Sequence, residues 1–346
     1  MEKEDGGHSK MIFPFSAIVD QEEMKTGLIL NVIDPSIGGL LIMGEKGTGK
    51  STAVRALADL LPEIEAVKDC PFTCDPSGVL CSKCTEDLQN EGHLHPTRKK
   101  MRVVELPLGI TEDRLVGTLD IEHAIKKGEK RFEPGILADA NRNFLYVDEV
   151  NLLEDHIVDL LLDSAAMGVN TVEREGVSFV HPARFMLVGT MNPEEGDLRP
   201  QLLDRFGLCV GVTSLYDKGQ RIEILRRRAA FDSDQGLFYK QWNGEQQKLS
   251  GRISAARSIV DSIPMDDRAL EKIVSVTASL KLDGHRADIV MMKTSRALAA
   301  FRELSTIGSD EIRDAAWFAL RHRLKRLPFE EIGAEREKVT EALALI

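Results

Sequence analysis

Five short apolar runs punctuate the first part of the chain: Gly39–Met43, Val103–Leu106, Phe144–Val147, Phe185–Val188 and Leu208–Val212, each bounded by Gly, Pro or Asp. Runs this short and this continuous predict strands buried on both faces. Helical patterns lie between them. In Ser51–Leu61, Val54, Leu57, Ala58 and Leu61 fall on one face before Pro62 ends the helix. Strands alternating with helices predict an α/β domain over residues 1–213, a five-stranded parallel sheet flanked by helices. Two segments interrupt the alternation, Asp113–Gly135 and Gly168–His181; in the second, Thr171–Glu173 and Val177–Phe179 flank Arg174-Glu175-Gly176 like a hairpin. Both read as insertions on a common core.

Past Ser214 the strand pattern stops and the chain turns helical and charged, with candidates at Lys218–Ala230, Arg252–Ser262, Arg268–Leu280, Arg286–Leu304 and Ser309–Leu327. A C-terminal all-helical domain over 251–346 follows. Phe231–Ser250, rich in Asp, Gln and Gly and poorly periodic, makes 214–250 a linker region.

Composition narrows the function classes. The 346 residues suffice for two or three domains, and no stretch approaches the roughly 18 to 20 apolar residues of a membrane span. A net charge of -11 offers no broad footprint for nucleic acid. The N-terminal MEKEDGGHSK is polar and has no signal-peptide core, so a cytoplasmic location is expected.

The chemistry concentrates after the first apolar run. Gly44-Glu45-Lys46-Gly47-Thr48-Gly49-Lys50-Ser51, followed by Thr52, has P-loop spacing and lies between a predicted strand and a predicted helix. Glycines let the backbone N–H groups and the helix N-terminus face phosphates. Lys50 is then placed for the β and γ phosphates of ATP and Ser51 for Mg2+. Phe144-Leu145-Tyr146-Val147-Asp148-Glu149 ends a buried strand in two carboxylates, which a core tolerates only where they emerge at a site. Asp148 is expected to serve Mg2+ and Glu149 to orient the attacking water. A second apolar strand, Phe185–Val188, leads to Asn192, a candidate γ-phosphate sensor or the cap of an Asn-Pro turn. Arg205, just before the last strand, is either an arginine supplied to a neighbour's ATP or half of a surface ion pair with Asp204.

In this order the motifs resemble an AAA+ ATPase, and the two insertions resemble the branch containing MoxR-type proteins, minichromosome-maintenance helicases and chelatases. More narrowly, Phe13-Pro14-Phe15-Ser16-Ala17-Ile18-Val19, Leu106-Pro107-Leu108-Gly109, Thr111-Glu112-Asp113-Arg114, Phe132-Glu133-Pro134-Gly135 and Asn192-Pro193-Glu194-Glu195-Gly196 are similar to magnesium chelatase ATPase subunits. The resemblance implies a ring of six subunits that drives Mg2+ insertion into protoporphyrin IX for chlorophyll pigments. It implies two partners: a second AAA+ subunit with an integrin-like domain, and a large porphyrin-binding subunit. It assigns Arg205 as arginine finger and Arg286, in Gly284-His285-Arg286-Ala287-Asp288, as the sensor arginine of the helical domain. Asp20, His285-Arg286-Ala287 and Thr190-Met191-Asn192 depart from the family pattern. The alternatives are a cobalt-chelating motor for corrin synthesis and a MoxR-like chaperone without a porphyrin.

Cys70, Cys74, Cys81 and Cys84 form a C-x3-C-x6-C-x2-C group in a Pro- and Gly-containing loop, with His93 and His95 nearby. Zinc, a [4Fe–4S] cluster and unmetallated thiols are the three readings, and the spacing matches neither standard metal pattern closely. Cys209, on a predicted buried strand, reads as a small core residue.

Overall fold

The computed structural model describes residues 11–120, 131–174, 177–196, 198–282, 284–324 and 334–346. Parts of the sequence reading lie outside them: the middle of the first insertion, the turn of the predicted hairpin at 175–176, and the end of the last predicted helix.

The five apolar runs form one sheet of β1 (Leu40–Gly44), β2 (Val103–Glu105), β3 (Phe144–Val147), β4 (Met186–Met191) and β5 (Leu208–Val212), in the order β5-β1-β4-β3-β2. Every pairing is parallel, with Leu40 beside both Val188 and Leu208, and Val188 in turn beside Tyr146. Alternate residues feed two cores. Leu40, Ile42, Phe144, Tyr146 and Val188 pack with the helices Glu22–Ile33 and Lys50–Leu60, while Leu41, Leu145, Val147 and Leu187 pack with the helix Asp155–Met167. Burial on both faces is why the strands carry no polar stripe. The strand order reverses around β1, so the carboxyl ends of β1, β3 and β4 open onto one crevice, where α/β sheets take their ligands.

The insertions build two antiparallel hairpins, Gly117–Asp120 with Arg131–Pro134 and Val169–Arg174 with Val177–Pro182. A third, Ile64–Val67 with Pro96–Lys99, encloses the cysteine segment and the helix Ser82–Glu91, where the sequence suggested a loop.

The region expected to be a linker is helical instead. Lys218–Ser233 is one helix, as the candidate Lys218–Ala230 anticipates, whereas Phe231–Ser250 falls in its end and in Gln235–Ile259, a single helix that runs through the expected boundary at 250. Asp217 and Asp234 cap them by accepting from the amides of Gln220 and Leu237. Their surfaces are polar over most of the circumference, which hides the period. Their anchor is a compact aromatic cluster: Phe231 and Phe238 lie 5.3 and 5.4 Å from Phe13, ring centre to ring centre, and the Arg227 guanidinium sits 4.6 Å over Trp242. Helices Asp267–Ser279, Arg286–Phe301, Ser309–Leu320 and Ala334–Leu343 complete the helical part. Among the described residues no helix is long and apolar enough to cross a membrane.

Candidate functional site

The loop after β1 has the shape its sequence requires. Gly47 and Gly49 adopt φ of +82° and +83°, and a Cβ built on either would meet nothing within 4 Å, so the backbone here faces open space. That is a cradle for phosphate oxygens at the N-terminus of Lys50–Leu60, whose first turn holds Ser51 and Thr52. Lys50 Nζ lies across the loop, donating to the carbonyls of Gly44 and Glu45 at 2.7 Å each. Burial pushes the Lys50 ammonium's pKa down, and the carboxylates of Asp148, Glu149, Glu195 and Glu45 pull it back up. Gln21 braces the same loop by donating to the Thr48 carbonyl at 2.8 Å.

Asp148 and Glu149 emerge beside this cradle. Asp148 Oδ1 accepts from Thr190 Oγ1 at 2.6 Å and from the Tyr146 hydroxyl at 3.1 Å. Glu149 stands in the left-handed region at φ +54°, and its amide donates to Thr190 Oγ1 at 3.1 Å. Its carboxylate meets Lys46 Nζ at 2.9 Å, and Lys46 also holds Glu195 at 2.7 Å. These two carboxylates raise the Lys46 pKa, so it stays charged. The structure thus joins the P-loop, the Asp-Glu tip and the turn after β4 through one lysine.

Met191 pairs with Met43, which sets Asn192 level with the start of the loop; its side chain accepts from the Glu194 amide at 3.3 Å and so caps the turn Pro193–Glu195. Arg205 pairs with Asp159 and Asp163 of the helix Asp155–Met167, not with Asp204. Asp204 instead receives Arg286 at 3.5 Å and the buried Arg323 at 3.2 Å, both from the helical part. From the sequence, Lys46 is named as part of the P-loop but not as a bridge to Glu149 and Glu195, no site role is assigned to Thr190 or Glu195, and Arg323 is not named. Thr190 alone carried a sign: two residues before Asn192 on a strand, it shares that residue's side of the sheet.

Away from this crevice, Cys70, Cys74, Cys81 and Cys84 are all buried, and their sulfurs lie within 4.8 Å of one another. Cys209 sits in the core, where burial pushes its thiol up to about 12.

Comparison with known proteins bears on both halves. Residues 76–206 match the AAA domain (dynein-related subfamily), and residues 270–342 match the AAA lid domain. A magnesium-chelatase subunit ChlI homolog of Methanocaldococcus jannaschii is 56% identical over 96% of this chain and 91% of its own length. The magnesium-chelatase 38 kDa subunit of Cereibacter sphaeroides is 52% identical over 94% of this chain and 96% of its own. The chain belongs to the magnesium-chelatase I-subunit family of AAA+ ATPases. Among solved structures, this family member is similar to a chain of the BchI–BchD magnesium chelatase complex seen by single-particle cryo-EM. That match has 49% identity and a TM-score of 0.54, over 96% of this chain and 99% of that one. A putative ATPase from Cytophaga hutchinsonii, at 18% identity and a TM-score of 0.63 over 96% and 92% of the two chains, shares the fold. Membership of the AAA+ ATPases implies ATP and Mg2+ as cofactors.

Proposed function

We propose that this chain is the ATP-hydrolysing motor of a magnesium chelatase, driving Mg2+ insertion into protoporphyrin IX held by a separate porphyrin-binding subunit. It works in a homo-oligomeric ring of six with a second AAA+ subunit that carries an integrin-like domain. The observation that carries this reading is the convergence of the open glycine cradle with Asp148 and Glu149, both held by Thr190, in a chain 94% of whose length matches an I subunit.

In this mechanism the amides of Gly44 to Thr52 hold the phosphates, and Lys50 leaves the two carbonyls it now bonds to reach the β and γ oxygens. Ser51 and Asp148 are the ligands available for Mg2+, which when bound neutralises charge on the phosphates. Glu149 aligns and polarises the attacking water, and Asn192 senses the γ phosphate. Arg205 leaves Asp159 and Asp163 to act on the neighbour's ATP, a contribution worth about 10³ to 10⁵ in rate where it has been measured. Arg286 reports the loss of the γ phosphate to the helical part through Asp204. Cys70, Cys74, Cys81 and Cys84 form a metal centre outside this cycle.

The test combines ATP turnover with subunit mixing. Glu149→Gln and Arg205→Ala are each expected to lose turnover, and mixing Arg205→Ala with Lys50→Ala chains to restore part of it at interfaces that keep both groups. Three equal rates would refute the roles. Reconstitution with the partner subunits and protoporphyrin, followed by absorbance, tests the chelatase assignment. Cobalt insertion into a corrin precursor in its place would move the motor to the cobalt branch.

A further inference from the structure

We infer that Cys70, Cys74, Cys81 and Cys84 bind one Zn2+ as a tetrahedral tetrathiolate, and that this knuckle holds Phe72 as a wedge against the two insertion hairpins. The inference rests on reading the four thiolates as a metal centre and is independent of the chelatase activity.

The sulfur spacing decides between a single ion and a cluster. Four thiolates on one zinc, at about 2.3 Å each, lie about 3.8 Å from one another along the edges of a tetrahedron. Cys70 and Cys81 sulfurs are 3.9 Å apart, and no pair exceeds 4.8 Å. An iron–sulfur cluster places its thiolates on different irons, on separate corners of the cluster body, and needs a wider cage. The surroundings suit a closed structural site. All four residues are at most 5% exposed, and the Cys81 amide donates to Cys74 Sγ at 3.3 Å, the kind of outer bond that steadies a metal-bound thiolate. Asp69 and Thr73, at φ +56° and +48°, tighten the turn that brings Cys70 back toward Cys74.

The segment between the strands Ile64–Val67 and Pro96–Lys99 has little else to hold it. Its fully buried core is small, the four cysteines with Val67, Phe72 and Ala138, with only Leu80, Leu94, Phe132 and Phe179 packed partly buried against it among the described residues. So few apolar side chains seldom fix a fold without a covalent or metal staple. Phe72, between two of the cysteines, is what this module presents to the rest of the chain. Its ring is 4.7 Å from His181 and 6.0 Å from Phe179 on one hairpin, and 6.3 Å from Phe132 on the other, while its carbonyl accepts from Asn141 at 2.6 Å. The metal thus fixes a ring that touches both insertions beside the place where their own Phe132 and Phe179 stack at 4.1 Å.

Zinc, iron and acid-labile sulfide are measured per full-length chain purified without a histidine tag, together with hydrogen exchange over Val169–Pro182. One zinc per chain without sulfide is expected. Cys74→Ser and Cys84→Ser should each lower zinc about tenfold or more and speed exchange in the hairpin by a similar factor. Phe72→Ala should keep the zinc and speed the same exchange, which separates the wedge from the staple. Iron with sulfide would overturn zinc and leave a metal centre; four free thiols or disulfides with no metal would overturn both. Full zinc retained in both serine variants would refute the site. Because the metal content is read on the wild-type chain, a serine variant that fails to fold does not shelter the inference.

Discussion

The hydroxyl of Thr190 donates to Asp148 Oδ1 at 2.6 Å and accepts the amide of Glu149 at 3.1 Å, so one side chain on β4 sets both carboxylates at the end of β3. Among the described residues the threonine makes no hydrogen bond to the cradle or to Lys50. Its effect on phosphate chemistry is therefore one of aim. It fixes which oxygen of Asp148 is taken and where the Glu149 backbone turns toward the cradle.

Thr190→Val keeps the shape and removes both bonds, leaving the Glu149 amide and one Asp148 lone pair without partners. Losing about 1.4 to 2.8 kcal/mol of alignment corresponds to a roughly ten- to hundredfold fall in ATP turnover. Nucleotide affinity should change by less than about threefold, since the cradle is untouched. Thr190→Ser should recover most of the rate. Phosphate release at saturating ATP checks this, and a valine variant at the wild-type rate would remove Thr190 from the mechanism.

Glu149 holds a left-handed backbone at φ +54°, a conformation that costs a residue with a Cβ about 1 kcal/mol or more. Glycine adopts it freely. Both Glu149→Gly and Glu149→Ala lose the ion pair to Lys46 and both are expected to lose hydrolysis under the proposed role, so comparing them isolates the backbone. The glycine variant should be more stable than the alanine variant by about 1 kcal/mol, the reverse of the usual order. Urea unfolding of the two variants decides it; alanine more stable than glycine would mean that no strain is stored there.

What the sequence made legible here, and what it hid, follows from the range of each interaction. The sheet was readable because strands buried on both faces are unbroken apolar runs, and the P-loop because its parts are contiguous between Gly44 and Thr52. The helices at Lys218–Ala230 and from Arg252 onward were readable, but the helical nature of Phe231–Ser250 was hidden, since a stretch anchored by Phe231, Phe238 and Trp242 with polar residues elsewhere shows little period. The cysteine spacing was visible but its convergence was not, because that depends on Ile64–Val67 pairing with Pro96–Lys99. The Lys46 bridge to Glu149 and Glu195 and the bond of Arg323 to Asp204 join residues about a hundred or more positions apart. No local pattern announces them.

Arg323 is 2% exposed at its side chain and donates to the carbonyls of Asp204, Phe206 and Gly207 as well as to the Asp204 carboxylate. Burial lowers its pKa to about 10, against the pull of Asp204. Asp204→Asn removes the carboxylate that balances this buried charge. Asp204 is itself partly exposed, so the cost is smaller than for a fully buried pair, about 1 to 3 kcal/mol. Because Arg286 shares the same carboxylate, the variant should also weaken the seat of the helical part. A lowered melting temperature with faster hydrogen exchange in Ser309–Leu320 is expected; an unchanged melting temperature would show that the backbone carbonyls alone hold Arg323.

His181 and His322 are buried in the neutral form, and the sign of the resulting pH dependence can be worked out. Burial lowers both pKa values; for His322 the charges of Arg323 and Arg321 add to the effect, while the Pro182 carbonyl opposes it at His181. His181 uses its ring as a neutral imidazole must, with Nδ1 donating to the Pro182 carbonyl at 2.9 Å and Nε2 accepting from Asn170 at 2.9 Å. In the unfolded chain both return to about 6.5 and take up protons that the folded chain refuses. Stability is therefore fully present above about 6.5 and falls as the pH drops below it, by about 1.4 kcal/mol per unit for each histidine until its folded pKa is reached. Thermal unfolding at about pH 7.5 and 5.5, above the main carboxylate range, reads this loss. His181→Gln and His322→Gln should each be less stable at the higher pH yet lose less between the two. If both variants lost as much as the wild type, the acid sensitivity would belong to other groups.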